Sequence, residues 1–140
     1  MSQVFIHKHR VSYAECTVGN HVYYSRYLDI LEQARGEFFR AAGKTCKDLQ
    51  DLGFIFPVLD CHISYKAPAR YDDLLDVQVY LIEVGRVRVR FQYSVLNETG
   101  KILITGETTH VCTSLDEKPR RLPEDLTAFC QKFVHDPVPK

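Results

Sequence analysis

Between positions 26 and 42 apolar residues return every three or four places. Tyr27, Leu31, Ala34, Phe38 and Ala41 fall along one line of a helix. Leu28, Ile30, Phe39 and Ala42 broaden that line to more than a third of the circumference, as expected of a helix embraced by its fold. Ser25 stands where an N-cap belongs and Gly43 where a helix stops, so the pattern predicts one long helix over about 26–42. Elsewhere the period is two. Residues 3–12 predict an opening strand, 13–24 an irregular segment turned by Gly19 and Asn20, and 44–53 a polar connection. A strand is expected over 54–65, with Pro57 marking an edge or a bulge.

Three more strands, 76–84, 86–96 and 101–113, follow through tight turns. In 86–96, Val87, Val89, Phe91, Tyr93 and Val95 share one face, against Arg86, Arg88, Arg90, Gln92 and Ser94 on the other. One face of that strand is dry and one is wet. A short amphipathic helix over 124–134 closes the chain. This order predicts an α+β architecture, an antiparallel sheet wrapping one buried helix. A single domain is expected over 1–140, its core about 3–126 and its C-terminal helix or tail 123–140.

Eighteen basic and eighteen acidic residues cancel, so no bulk field favours nucleic acid or an anionic membrane, and neither is an expected partner. No apolar run approaches the roughly 20 residues of a membrane span, and MSQVFIHKHR lacks the apolar core of a signal peptide. The expected compartment is the cytoplasm. Five cysteines without CxxC spacing read there as reduced, mostly buried thiols. His62 and His110 are expected as satisfied core histidines. No Walker, GxGxxG, HExxH or zinc pattern is present, so neither metal nor organic cofactor is expected.

Three segments then carry a resemblance: YAECTVGNHVYYSRYLDILEQAR, YKAPARYDDLLDVQVYLIEVGR and TTHVCTSLDEKPRRLP. Together, over about 5–126, the chain resembles the 4-hydroxybenzoyl-CoA thioesterase family in its YbgC-like branch. Tyr13, Glu15, Val22, Tyr23, Tyr27, Leu28, Glu32, Ala34 and Arg35 stand where the family pattern YxETDxxGxVYHxNYLxxFExAR has them. The resemblance implies a hotdog fold and hydrolysis of an acyl-CoA or acyl-carrier-protein thioester to free acid and thiol. It also implies a homodimer or homotetramer joined sheet edge to sheet edge, with active sites at the subunit interface.

The chain departs from the family at the site. The family's catalytic aspartate falls on Thr17, its glycine on Asn20 and its histidine on Tyr24. A neutral hydroxyl is no general base near neutral pH without an activator. The rival readings are a non-hydrolytic hotdog protein that binds acyl thioesters or assists assembly, and a hotdog dehydratase or hydratase. The ETD-like start and the KPRRLP end speak against the latter.

Thioester hydrolysis needs donors for the developing oxyanion and a group that drives water or a carboxylate onto the carbonyl. By the resemblance the donors are N–H groups at the helix start, here about Tyr23, Tyr24 and Ser25. Three candidates could replace the aspartate. Glu32 follows Tyr24 by eight residues, as the carboxylate does in a related hotdog branch. Turning about 100° per residue from Tyr27 puts Glu32 at roughly 140° and Arg35 at roughly 80°, so an i,i+3 ion pair is the competing structural role. Glu15, two residues before Thr17, competes with a structural carboxylate or cap. Cys16 could pair with His21 as a thiol nucleophile, against a plain buried cysteine. Thr17 could hold a water or bond the thioester oxygen. Lys118, Arg120 and Arg121 could meet CoA phosphates, as could the Arg86/Arg88/Arg90 stripe, although a solvated sheet face explains the stripe better.

Overall fold

The computed structural model describes residues 2–136. Strand β1 (Phe5–Arg10) leads through a 3-10 turn, Tyr13–Glu15, into the two-residue strands β2 (Cys16–Thr17) and β3 (His21–Val22). Helix α1 (Arg26–Ala41) and the short α2 (Cys46–Asp51) follow. The chain continues through β4 (Val58–Tyr65), β5 (Leu74–Val84), β6 (Arg88–Leu96), β7 (Ile102–Val111) and α3 (Glu124–Gln131). The large sheet is antiparallel with order β1-β5-β6-β7-β4. β5, β6 and β7 are the predicted meander, whereas β4 crosses over to pair with β7. The predicted α+β architecture is the one formed.

α1 lies on the inner face of this sheet because its apolar stripe matches the inward residues of the strands. Tyr27, Ile30, Leu31, Ala34, Phe38 and Phe39 are buried, against Val89, Phe91, Tyr93 and Val95 of β6 among others. Leu31 packs at Gly106 of β7, where an added Cβ would stand 3.5 Å from its Cδ1. Phe38 is the hub, with ring centroids of Phe5, Phe39, Phe91, Phe129 and Phe133 between 5.1 and 6.0 Å away.

Several expectations need correction. Leu28 and Ala41 are exposed, so the buried stripe is narrower than the apolar one. Ser25 occupies the N-cap position but has helical backbone, and its side chain accepts no capping hydrogen bond. The polar connection 44–53 contains α2, started by Thr45, whose hydroxyl accepts from the Asp48 N–H while the Asp48 carboxylate accepts from the Thr45 N–H. The segment 13–24 is ordered rather than irregular, the 3-10 turn leading into the β2–β3 hairpin. β4 begins only after Pro57, at the sheet edge, with a register shift between Val58 and Asp60. Cys112 and Cys130 are buried, but Cys46 and Cys61 are exposed and Cys16 is only half-buried. His62 is exposed on β4. The last helix stops at Gln131, and residues 137–140 of the expected tail lie outside the described ones.

Candidate active site

The β2–β3 hairpin delivers the chain to the start of α1. Thr17 pairs with His21 and Cys16 with Val22, closed by a turn in which the Asn20 N–H donates to the Thr17 carbonyl at 3.1 Å. Gly19 and Asn20 both have positive φ, 88° and 61°. Glycine takes that backbone freely, and asparagine is among the side chains that tolerate it best, which accounts for Asn20 at the family's glycine position. Two hydrogen bonds then fix the exit: Val22 N–H to the Ala69 carbonyl and Tyr23 N–H to the Glu15 carbonyl, each 2.9 Å. The Tyr65 hydroxyl donates to the Tyr24 carbonyl at 3.1 Å, and the Ala69 N–H donates to the Tyr27 hydroxyl at 3.0 Å.

What remains at the head of α1 is a set of free donors, the first two of which precede the helix. Among the described residues nothing accepts from the N–H of Tyr24 or of Ser25. The missing Ser25 cap has a consequence here, because a capping side chain would compete for this space. These N–H groups stand at the positive end of the helix dipole, where an oxyanion is favoured. Tyr23 leaves the expected set, since its N–H already serves Glu15.

Each candidate for the missing aspartate has a definite place. Both oxygens of the Glu15 carboxylate lie 2.9 Å from His9 Nε2, and one also accepts from the Ser12 N–H at 2.7 Å. Burial alone would raise its pKa, but the Ser12 N–H and His9 outweigh it and hold the carboxyl below its usual range. Glu15 is thus occupied as a structural anion. Cys16 lies on the hairpin face opposite Thr17 and His21, since neighbouring residues of a strand point to opposite sides. That rules out the Cys16–His21 pair. Burial, reinforced by the Glu15 charge, also pushes the Cys16 thiol up, away from the reactive thiolate.

Glu32 is exposed, and the ion pair with Arg35 that would be its structural role is not formed. Arg35 turns toward the sheet and opens a chain of hydrogen bonds: Arg35 Nη1 to Tyr93 Oη at 3.1 Å, Tyr93 Oη to Thr108 Oγ1 at 2.7 Å, Thr108 Oγ1 to His110 Nε2 at 2.9 Å, and His110 Nδ1 to the Phe56 carbonyl at 3.0 Å. An arginine can only donate and a carbonyl can only accept. Every proton between them is thereby assigned in one direction, and His110 is the neutral tautomer protonated on Nδ1. Burial pushes its pKa down to about 4, the Phe56 carbonyl acting against that. An unfolded histidine titrates near 6.5, so between about pH 6.5 and 4 the unfolded chain holds the extra proton. Stability should therefore fall through that window, by about 3 kcal/mol once below it. Denaturant titrations at pH 7 and 4.5 should show this loss shrinking in His110→Gln, and equal slopes in both proteins would refute the neutral assignment.

Arg120 is held by contacts within the chain. Its Nη1 donates to the Leu52 and Gly53 carbonyls at 3.0 and 2.9 Å, and its guanidinium lies 3.8 Å from the Phe54 ring centroid. Arg90 is committed to Glu107 and Glu83. Lys118, Arg121, Arg86 and Arg88 are exposed.

A family model described as the thioesterase-like superfamily matches residues 11–130, most of the chain. The chain belongs to this family. The acyl-CoA thioester hydrolase YbgC of Escherichia coli is 31% identical over 120 residues, 85% of this chain and 90% of that one. A crystal structure of an Aquifex aeolicus protein superposes with a TM-score of 0.85 at 29% identity, covering 90% of this chain and 98% of that one. A DHNA-CoA thioesterase from Staphylococcus aureus superposes with a TM-score of 0.83 at 27% identity, covering 93% and 88%. The sheet wrapped around α1 is the hotdog fold, and the reaction class of this thioesterase-like chain is thioester hydrolysis. No helix of the described residues is long and apolar enough to cross a membrane.

Proposed function

We propose that the chain hydrolyses acyl-CoA thioesters, with the Tyr24 and Ser25 N–H groups receiving the oxyanion and Glu32 supplying the base or nucleophile. The observation that carries this is the unpartnered N–H pair with a free carboxylate two helical turns beyond it. Eight residues of helix advance about 12 Å, and a glutamate side chain leans back some 5 Å toward the N-terminus, leaving about 7 Å. A carbonyl oxygen about 3 Å from the donors and a nucleophile about 3 Å from its carbon fill that gap. Thr17, exposed at the hairpin tip, is left to hold a water or bond the thioester oxygen. Asn20 shapes the turn beside it. Lys118 and Arg121, both exposed, stand in the turn that would meet CoA phosphates. Thiol release from a panel of acyl-CoAs, followed with a thiol reagent, tests the activity. Binding without release across the panel would replace it with the non-hydrolytic reading.

The site in this reading is completed by a second copy of the chain. β4 is an open edge on which Val58, Leu59 and Tyr65 are each about half exposed, and Leu28 of α1 is exposed as well. Such an edge is a pairing liability that a two-fold partner removes. Sedimentation equilibrium at micromolar concentration should show no substantial 16.2 kDa species. A monomer that still turns over thioesters would overturn the shared site.

A further inference from the structure

Beside Glu32, α1 opens onto a cavity of about 190 Å³ closed by α2, the 54–56 segment, β6 and β7. Four phenylalanines stand in its walls, Phe39, Phe54, Phe56 and Phe91, with Phe39 stacked on Phe56 at 5.4 Å. Arg35 and His110 are among its polar lining groups.

Two features of this cavity are unexplained by the fold alone. Arg35 is half-buried and gives one N–H to Tyr93, yet the ion pairs of the described residues leave it out. Glu32 lines the same cavity but lies beyond ion-pair distance, and a half-buried guanidinium with no counter-ion in contact is held there at some cost. The hydrogen-bonded chain offers no remedy, because Tyr93, Thr108 and His110 are all neutral members of it. Gly36 is the second feature. It lines the same cavity, and a Cβ built on it would meet nothing within 4 Å. Glycine weakens a helix interior, and here no close neighbour requires it. The space above Gly36 is kept open at a cost, beside a cation that lacks its anion.

We propose that this cavity receives the far end of the substrate's acyl group, and that Arg35 selects acyl chains ending in a carboxylate. This rests on the thioesterase reading above. The scale is consistent with it. Arg35 lies eleven residues after Tyr24, about 16 Å along the helix, and its side chain leans back by roughly 5 Å. Allowing about 4 Å for the oxyanion and carbonyl and about 3 Å for the terminal ion contact leaves some 4 Å of chain. At roughly 1.25 Å advance per carbon, set by the carbon–carbon bond, the fitting substrates are short diacid monothioesters of about four to six carbons.

The test compares kcat/KM for matched acyl-CoAs differing only at the far end: adipyl against hexanoyl, and glutaryl against pentanoyl. The wild type should favour the carboxylate member by about tenfold or more, the scale of one charge-assisted contact. Arg35→Gln should erase the preference by slowing only the carboxylate member. Gly36→Leu fills the cavity without touching the oxyanion donors. It should slow both six-carbon substrates at least tenfold while sparing acetyl-CoA and the melting temperature. Hydrolysis without end preference in the wild type overturns this inference and leaves the thioesterase reading standing. So does a preference that survives Arg35→Gln, or full adipyl-CoA turnover by Gly36→Leu. No release from any acyl-CoA overturns both. Should Arg35→Gln fail to fold, the wild-type comparison and Gly36→Leu decide.

Discussion

Glu32→Gln is expected to lower kcat by about 10²-fold or more, the scale on which loss of a general base is felt. Its melting temperature should stay close to that of the wild type, because Glu32 is exposed and makes no ion pair among the described residues. An ion pair with Arg35 would have predicted the reverse, a stability loss exceeding the activity loss, since the partner would be stranded. Thr17→Ala should cost much less than Glu32→Gln if the hydroxyl only positions water. Thr17→Asp restores the family pattern and should raise turnover, even in the Glu32→Gln background. Kinetics and melting on the same samples separate the accounts. A fully active Glu32→Gln removes this residue from the chemistry, and Glu15 is a poor substitute while His9 and Ser12 hold it.

Phe38→Ala is expected to be the most destabilising single change. The side chain is fully buried, and five aromatic rings from β1, α1, β6 and the C-terminal segment meet on it. Deleting a buried phenyl ring costs about 3–5 kcal/mol, because the surrounding groups collapse only partly into the hole. For a chain of this length that is a fall of roughly 10–20 °C in melting temperature. Thermal melts followed by circular dichroism would show it, and a shift of only a few degrees would mean the cluster repacks far better than its mutual edge-on contacts suggest.

Where contacts are local and periodic, the sequence could be read directly. α1 shows through its three-and-four spacing, and the meander of β5, β6 and β7 through alternation and tight turns. α2 escaped because only Leu49 of its six residues is buried, although Thr45 and Asp48 carried the capping signal. Nothing local announces that β4 skips its sequence neighbour to pair with β7. At the site, long range defeated local reasoning in the same way. Local spacing offers Arg35 a structural partner in Glu32, three residues away, but its acceptor Tyr93 is 58 residues on. Arg120 reads from the sequence as a phosphate contact, and its acceptors 67 and 68 residues back are invisible there. The departure at Thr17 was visible at once. The freedom of the Tyr24 and Ser25 N–H groups, and the commitment of Glu15, required the fold.

The one-way run of protons from Arg35 to the Phe56 carbonyl also governs how this core can change over time. Take away the single oxygen of Tyr93 and two neighbours are stranded together: Arg35 loses an acceptor and Thr108 a donor. Exchange Thr108 for valine and both Tyr93 and His110 are left unanswered inside the protein. Every single step out of this arrangement therefore passes through an intermediate worse than either end, since each orphaned buried group costs about 1–3 kcal/mol. Arg35, Tyr93, Thr108 and His110 are therefore coupled, and a change at one is eased only by a matching change at its neighbour.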